Sequence, residues 1–376
     1  MRYVPRVSVP VNQPKKPLIT ANQVTLVRLA LIPIPAWLLY QGTHGQYVAL
    51  IFATILGLTD TVDGYLARKQ GPTVLGGLMD PIADKVFLAA TFLPAVDLHW
   101  VPSWLVALLF VREFFITAAR SSYEKRDTPL KSTYLARYKT WVQMCGVGVL
   151  MLLSVATPTF LDWFFGVLAA APIVGYVVLR LGFKRRWKGA GFFAVSFSIV
   201  FLIHHDLGAH VTAVALMYFI VGLTWVSGLG YLVSVGNLRG RGAIDASDLV
   251  RLTTSIVLPI VAVLAQARPD SPSWMIILLT AFELAHGGLD NLLSHHHAED
   301  TATKWGLRVG GEIVFLTAAW LAPTTLVSRS CDAAAVAIAT IGLVIAFVNK
   351  RRWYLDEKPA SAKSTATAPA ASAAAS

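Results

Sequence analysis

Four aspartates lie close together in a chain that is otherwise mostly apolar. Asp60 and Asp63 are spaced i, i+3, and Asp80 and Asp84 are spaced i, i+4. If both segments are helical, each pair shares one helix face, and a short connection over residues 70–78 lets the two faces meet. Carboxylates inside a membrane cost about 2.5–3.5 kcal/mol each on insertion scales. We therefore expect a bound cation among them, and hard oxygen ligands favour Mg²⁺, Mn²⁺ or Ca²⁺.

The residues that follow the first acidic pair fit a site that handles phosphate. Gly64 and Ala67 leave the acidic face without bulk, so that a ligand can approach the backbone, and Arg68 can reach a phosphate one turn later. The carboxylates could alternatively form the relay of a cation-coupled transporter. A relay would not need these three residues, which favours the phosphate interpretation.

Together these residues form a pattern that resembles the signature of the CDP-alcohol phosphotransferases. The pattern is D-x-x-D-G-x-x-A-R, seven residues, and then G-x-x-x-D-x-x-x-D. Members of this family are membrane enzymes that move a phosphatidyl-type group from a cytidine diphosphate donor to an alcohol, and CMP leaves. The resemblance implies that the donor's cytidine diphosphate contacts Gly64, Ala67 and Arg68.

The same resemblance implies the roles of the four carboxylates. Two divalent ions, Mg²⁺ or Mn²⁺, would neutralise the diphosphate and the charge that develops on the CMP oxygen. Asp84 would also be the general base that accepts the proton of the acceptor hydroxyl. The implied metal ligands are Asp60, Asp63, Asp80 and Asp84.

The first apolar span opens with a further motif, N-x-x-T-x-x-R-x-x-x-x-P, from Asn22 to Pro33. It resembles the opening of the phosphatidylglycerophosphate synthases of this family, where it lies close to the nucleotide-lipid site. The resemblance implies that Asn22 and Thr25 contact the CDP group. Alternatively, Asn22 caps the helix and Arg28 extends its charge towards the membrane surface.

Two runs beyond the aspartates resemble the glycerophosphate branch of the family. These are R-E-x-x-I-T-x-x-R, which begins at Arg112, and K-T-x-x-Q, which begins at Lys139; D-P-I-A-D-K at 80–85 indicates the same branch. The implied acceptor is glycerol 3-phosphate, or phosphatidylglycerol in a cardiolipin synthase. Basic residues that could cradle the acceptor phosphate are Arg112, Arg120, Arg137 and Lys139. Each could equally be a membrane-surface anchor, and Arg112 could simply pair with Glu113.

The composition indicates a polytopic membrane protein. Of 376 residues, 55% are hydrophobic and 14% are charged, against about 25% charged in soluble domains. The net charge of +11 comes from basic clusters between apolar spans, which favours anionic lipid headgroups over nucleic acid as partners. Cys145 and Cys331 lie far apart, so we expect neither a disulfide nor a thiolate metal site.

The apolar pattern predicts an all-α fold of about twelve transmembrane helices in two six-helix halves. We expect a catalytic domain over residues 1–183, a second membrane half over 184–350 and a disordered Ala/Ser-rich tail over 351–376. The alternation of basic loops favours both termini in the cytoplasm. We expect an integral protein of a bacterial inner membrane, with its active site open to the cytoplasm. The polar stretch 204–210 is expected to be an outer loop.

The second half contains segments that resemble the motifs of the first. Asp248-Leu-Val-Arg251 resembles Thr25-Leu-Val-Arg28, and the positions that correspond to the four aspartates hold Gly287, Asp290, Arg308 and Glu312. We expect a degenerate repeat without a catalytic metal site. It would serve as a scaffold, as an internal partner in place of a homodimer subunit, or as a lipid-sensing site. Chance similarity between apolar stretches is the alternative.

Overall fold

The computed structural model describes residues 19–355, with gaps at positions 72, 127–133, 186, 188, 241–243, 269–270, 272, 297 and 299. Its described residues form helices and no strand, so the predicted all-α fold is confirmed. The predicted tail falls almost entirely outside the described residues. The helices are α1 (Ala21–Leu31), α2 (Pro33–Leu38), α3 (Gly42–Gln70), α4 (Val74–Asp97), α5 (Ser103–Glu124), α6 (Tyr134–Val155), α7 (Pro158–Gly182), α8 (Ala190–Gly240), α9 (Ala246–Gln266), α10 (Ser273–His295), α11 (Ala302–Leu321), α12 (Thr325–Asn349) and α13 (Arg352–Leu355).

The fold is that of a polytopic membrane protein. Within the described ranges, eight helical stretches are long and apolar enough to cross a bilayer: the combined α1 and α2, then α3, α6, α7, α8, α9, α10 and α12. The other long helices, α4, α5 and α11, carry the charged motif residues, which lowers their hydropathy. Since each has at least 20 residues, each is about as long as a span. The total of twelve spans stays a prediction.

Helix α8 is too long to be one span. Its 51 residues would extend about 77 Å at 1.5 Å per residue, against a hydrocarbon core of about 30 Å. The backbone leaves helical geometry at Gly208, with φ 80° and ψ 177°, a conformation that favours glycine. The break therefore lies inside the loop predicted at 204–210, but it is confined to one residue with helix on both sides.

The connection between α3 and α4 is shorter than the sequence suggested. Helix α3 continues to Gln70 and α4 begins at Val74. The Thr73 hydroxyl accepts a hydrogen bond from the Gly76 N–H at 3.0 Å and so caps α4. The tight connection holds the ends of α3 and α4 together, and α1 packs against both helices.

The two halves of the chain are packed together rather than separated by a linker. Helix α4 contacts α10, and α5 contacts both α9 and α10. The largest cluster of buried apolar side chains draws mostly on the first half but includes Val263 and Leu284 from the second. The outward faces of many helices are apolar, as contact with lipid requires.

Candidate active site

Arg28 of α1 lies among the four aspartates. Its Nη1 is 2.6 Å from Oδ1 of Asp60 and 3.4 Å from Oδ1 of Asp84, and its Nη2 is 3.4 Å from Oδ2 of Asp63. Arg28 is only 3% exposed. The acidic faces of α3 and α4 therefore meet, as their spacing predicts, and a guanidinium occupies the space between them.

Thr25 links the remaining carboxylate to the cluster. Its hydroxyl oxygen is 3.2 Å from Oδ2 of Asp63 and 2.9 Å from Oδ1 of Asp80. A hydroxyl carries one proton, so it donates to one of these carboxylates at a time. Thr25 is completely buried, and it lies three residues before Arg28 on the same helix face. One face of α1 thus contacts all four aspartates.

Local hydrogen bonds fix α1 in this position. Thr20 and Gln23 form a capping box at its first turn. The side chain of Gln70, at the end of α3, accepts from the N–H of Ala21 at 3.1 Å and donates to the carbonyl of Ile19 at 2.8 Å. The start of α1 is thereby tied to the end of α3, beyond the acidic face.

The donor set suits a divalent cation, although its present arrangement is organised around Arg28. In the described part of the chain, no three His, Cys, Asp or Glu side chains are arranged as the ligands of one ion. Four carboxylates nevertheless converge on one face of α1, and carboxylate oxygens are the ligands that Mg²⁺ and Mn²⁺ prefer. Metal binding would require Arg28 to give up contacts with these oxygens.

Three of the residues assigned to the nucleotide, Gly64, Ala67 and Arg68, lie on the open side of the cluster, whereas Thr25 is buried inside it. Gly64 has room beside it, because an added Cβ would meet only Nη1 of Arg68, at 3.6 Å. Ala67 is half-buried and Arg68 is exposed. This side of α3 is therefore accessible to a ligand that carries phosphate.

Asn22 holds the α3–α4 connection. Its Oδ1 accepts a hydrogen bond from the Thr73 hydroxyl at 3.0 Å. A Cβ on Gly76 would lie 2.7 Å from the same oxygen, so the close approach requires glycine there. The alternative that Asn22 caps α1 is wrong, because the cap is Thr20. Asn22 instead fixes the loop beside the acidic cluster.

The comparisons with known proteins agree with this geometry. The family described as CDP-alcohol phosphatidyltransferase matches residues 18–175. A CDP-diacylglycerol–glycerol-3-phosphate 3-phosphatidyltransferase of Bacillus subtilis is 33% identical over 145 residues, which are 35% of this chain and 75% of the relative. The chain belongs to the CDP-alcohol phosphatidyltransferase family.

Other relatives cover a similar share of the chain. A probable phosphatidylglycerophosphate synthase of Mycobacterium tuberculosis is 33% identical over 138 residues, 35% of this chain and 65% of the relative. An enzyme of Cereibacter sphaeroides with the same name as the Bacillus relative is 33% identical over 138 residues and is covered over 62% of its length. No solved structure matches the chain. The family match ends at residue 175, so the second half lies outside it.

The basic residues predicted to hold an acceptor phosphate are engaged within the protein. Arg112 donates to the carbonyl of Thr224 at 3.0 Å and to the hydroxyl of Ser227 at 2.9 Å. Arg112 and Lys139 also form buried ion pairs with Glu113. Arg120 bonds the hydroxyl of Tyr231 at 2.9 Å. Arg137 lies on α6, but its side chain is outside the described part of the structure. The role of these residues towards an acceptor stays a prediction.

Two residues near the site were not assigned from the sequence. Arg28 belongs to the motif of the first span, and a charge in the middle of a span signals an acidic partner. Lys85, which directly follows Asp84, donates to the Thr117 hydroxyl, and Thr117 belongs to the run that begins at Arg112. Two of the family motifs, D-P-I-A-D-K and R-E-x-x-I-T-x-x-R, thus contain residues that contact each other.

Proposed function

We propose that this membrane phosphatidyltransferase transfers the phosphatidyl group of CDP-diacylglycerol to glycerol 3-phosphate. The products would be phosphatidylglycerophosphate and CMP. The observation that carries the proposal is the convergence of Asp60, Asp63, Asp80 and Asp84 on one buried face of α1. The names of the relatives from Bacillus subtilis and Cereibacter sphaeroides support the choice of acceptor.

Asp84 is the proposed general base of the reaction. Its carboxylate accepts the proton of the acceptor hydroxyl as that oxygen bonds to the lipid-linked phosphorus. The bond between this phosphorus and the CMP oxygen breaks, and CMP leaves with the electron pair. Asp60, Asp63 and Asp80 would hold the divalent ions, which when bound supply neutralising charge for the diphosphate.

Arg28 is available to bind the diphosphate once cations replace it among the carboxylates. Its Nε and Nη2 are buried and have no hydrogen-bond partner in the described structure. Buried guanidinium donors without partners are costly, and phosphate oxygens would satisfy them in a charge-assisted bond. Arg28 would then neutralise the carboxylates in the empty site and contact the donor in the loaded one.

A cluster of buried cations behind Asp84 favours an anionic acceptor. Arg112 and Lys139 form ion pairs with the carboxylate of Glu113. Lys85 donates to the hydroxyl of Thr117, which in turn donates to the backbone carbonyl of Glu113. Three cations face one acid among these residues. An acceptor that carries a phosphate would be attracted by the positive electrostatic potential of these side chains. An uncharged alcohol would gain little from it.

The assay of purified protein with radiolabelled CDP-diacylglycerol tests this function. We expect metal-dependent release of CMP with glycerol 3-phosphate and a labelled phosphatidylglycerophosphate product. Product formation only with phosphatidylglycerol would indicate a cardiolipin synthase. Cation uptake into proteoliposomes without any release of CMP would instead indicate the transporter alternative.

The same proposal includes the location of the site. We place both termini and the active site on the cytoplasmic side, because of the basic loops. We assign the protein to the inner membrane of a bacterium because the relatives from Bacillus subtilis and Cereibacter sphaeroides are bacterial. Labelling of single cysteines introduced at Lys69 and at His99 tests the orientation. A membrane-impermeant reagent applied to intact cells should label the second position and not the first.

The second half is proposed to be a degenerate copy of the first. The corresponding residues make a corresponding contact: Arg251 Nη2 lies 3.2 Å from Asp290 Oδ1, as Arg28 Nη2 lies 3.4 Å from Asp63 Oδ2. Arg308, in place of Asp80, pairs with Glu283 and Glu312. Because guanidinium groups stand in place of metal ions, this half would not bind divalent metal. It would act as an internal partner of the first half. The alternative is that the whole chain forms a homodimer.

A further inference from the structure

One buried row of residues on α8 faces the basic residues of α5. Thr224, Ser227, Gly228 and Tyr231 are spaced i, i+3, i+4 and i+7, which places them along one side of the helix. All four are buried, whereas the residues between them are partly or fully exposed. We call these four residues the α8 row. They lie beyond residue 175, where the match to the family ends.

The α8 row fixes the guanidinium of Arg112. Its Nε donates to the carbonyl of Thr224 at 3.0 Å, and its Nη2 donates to the hydroxyl of Ser227 at 2.9 Å. Gly228 allows this close approach, because a Cβ there would lie only 3.2 Å from the same Nε. The remaining Nη1 pairs with Glu113. Each of the three nitrogens thus has a partner, and Arg112 is held as a fixed positive charge.

Tyr231, the last residue of the row, contacts Arg120 in a way that leaves a donor available. The Tyr231 hydroxyl accepts from Nη2 of Arg120 at 2.9 Å, and the guanidinium carbon lies 5.3 Å from the centre of the ring. Nε of Arg120 is buried and has no hydrogen-bond partner in the described structure. A buried charged donor without a partner costs free energy. This Nε therefore indicates a ligand that accepts a hydrogen bond.

The charges around Arg120 select an anionic ligand. Four cations lie close enough to interact electrostatically: Lys85, Arg112, Arg120 and Lys139. Glu113 is the one carboxylate that pairs with Arg112 and Lys139 in the described structure. The cations therefore outnumber the acid, and excess charge away from water is costly. A phosphate offsets this charge and also accepts hydrogen bonds from a guanidinium.

We propose that the α8 row positions these cations for the phosphate of the acceptor alcohol. Nε of Arg120 donates to a phosphate oxygen, Tyr231 orients that guanidinium, and Ser227 keeps the charge of Arg112 in place. Lys85 directly follows Asp84, so the bound phosphate lies beside the turn of α4 that carries the proposed general base. This inference rests on the function proposed above. It adds that residues outside the segment that matches the family set the affinity for the acceptor.

Steady-state kinetics of Tyr231→Phe in the full chain test the proposal. The variant keeps the ring beside Arg120 but loses the hydroxyl. We expect the KM for glycerol 3-phosphate to rise about fivefold or more, with the KM for CDP-diacylglycerol within about twofold of the wild type. A purely structural defect would reduce the amount of active enzyme and leave both KM values unchanged. An unchanged KM for glycerol 3-phosphate, or an equal rise in both KM values, would overturn the proposal.

Ser227→Ala and Gly228→Ala test the contacts that fix Arg112. The first variant removes the hydroxyl that accepts from Nη2, and the second places a methyl group 3.2 Å from Nε. Each should raise the KM for glycerol 3-phosphate about twofold to fivefold. Ser227→Thr retains a hydroxyl and should restore the wild-type value. A Ser227→Thr variant that behaves like Ser227→Ala would contradict the role of this hydroxyl.

Two other positions on α8 provide matched controls. Trp225 also bonds α5, because its indole N–H donates to the carbonyl of Leu108 at 3.2 Å, but this bond involves no cation. Gly222→Ala adds a methyl group where nothing lies within 4 Å. Neither Trp225→Phe nor Gly222→Ala should change the KM for glycerol 3-phosphate. A rise in either control equal to that in Tyr231→Phe would mean that any disturbance of α8 has this effect, and would overturn the proposal.

The wild-type reaction distinguishes failure of this inference from failure of the proposed function. Absence of phosphatidylglycerophosphate from the products of the wild type would remove the function, and this inference with it. Normal product formation by the wild type, together with an unaltered KM for glycerol 3-phosphate in Tyr231→Phe, would remove only the inference.

Discussion

The acidic cluster of the first half and the charged cluster of the second half differ in net charge. In the first, Arg28 is the one cation that the described structure brings within ion-pair distance of Asp60, Asp63 and Asp84, and Asp80 is bonded by Thr25. In the second, two guanidinium groups face Glu283, Asp290 and Glu312. The first cluster retains a large excess of negative charge, whereas the second is close to neutral.

This difference predicts that metal ions can bind to the first cluster, whereas the second cluster already holds two guanidinium groups. Buried acids in excess are unstable unless something positive joins them. Arg28 neutralises only part of the negative charge of the first cluster. Several carboxylates therefore remain as ligands for metal ions. Arg308 is a fixed part of the second cluster, since it belongs to the chain itself and pairs with both Glu283 and Glu312. The comparison yields four predictions.

The largest expected effect is on catalysis. Asp84→Asn should reduce CMP release at least about a thousandfold, because an amide cannot accept the acceptor's proton. The matched change in the second half, Glu312→Gln, should leave the rate within about twofold, as no step of the proposed reaction uses it. The rates are measured with glycerol 3-phosphate at saturating Mg²⁺. Comparable losses in the two variants would remove the functional distinction between the halves.

The second effect is on stability and its dependence on metal. Arg28→Met leaves three carboxylates without their guanidinium, and Arg308→Met removes the guanidinium that pairs with Glu283 and Glu312. Each should cost about 3–5 kcal/mol. Mg²⁺ should restore much of the loss in Arg28→Met, because the ion binds the folded site. Thermal unfolding of both variants with Mg²⁺ and with EDTA measures this. Equal rescue of Arg308→Met would contradict the neutralised second site.

A smaller effect concerns the tie between α1 and α3. Gln70→Ala removes the two hydrogen bonds to Ile19 and Ala21 and should cost about 1 kcal/mol. It should also raise the KM for CDP-diacylglycerol more than it lowers kcat, if Asn22 and Thr25 of α1 contact the donor as the family resemblance implies. Lys69→Ala, a change at the adjacent exposed position, is the control and should alter neither. An unchanged KM in Gln70→Ala would show that this tie does not affect donor binding.

The smallest effect lies at the contact between the halves, where Lys125 pairs with Asp245 at 2.6 Å. Burial of Asp245 opposes ionisation, but the hydrogen bonds from Lys125 and from the Asp248 backbone outweigh it and lower the pKa of Asp245 to about 2. A lowered pKa stabilises the folded protein above the unfolded value of about 3.9, and this contribution is lost as the pH falls through the folded value.

Asp245→Asn should therefore lower the unfolding temperature slightly near neutral pH, as exposed ion pairs contribute about 0–1 kcal/mol. The difference from the wild type should shrink between about pH 4 and pH 2. Unfolding followed by circular dichroism across this range measures the difference. A gap that widens on acidification would mean that Asp245 is not ionised in the folded protein at neutral pH.

The sequence predicted the convergence of the four aspartates, because the pattern that indicates it is local. The spacings of Asp60 and Asp63, and of Asp80 and Asp84, follow from helical periodicity alone, and the short connection leaves the two faces little freedom. The structure confirms the helices and the meeting of these faces. The position of Arg28 depended on the packing of α1 against both helices, which no spacing encodes.

The sequence could not predict which residues far apart in the chain contact one another. Arg112 could have faced a ligand, a lipid headgroup or an acid, and only the packing of α5 against α8 showed that it bonds Thr224 and Ser227. Similarly, the polar stretch around His204 suggested a loop, but polar residues in a helix that faces other helices give the same pattern. The single non-helical residue, Gly208, was not distinguishable from its neighbours.

The bonds from Arg112 to α8 have a consequence for any attempt to divide the chain. Thr224, Ser227 and Tyr231 complete the hydrogen bonding of Arg112 and Arg120, yet they lie beyond the segment that matches the family. A truncated chain that stops near residue 183 would leave these guanidinium groups without their partners on α8. We therefore expect the segment that matches the family to be less stable without α8, so that the two parts of the chain would not be readily expressed or exchanged separately.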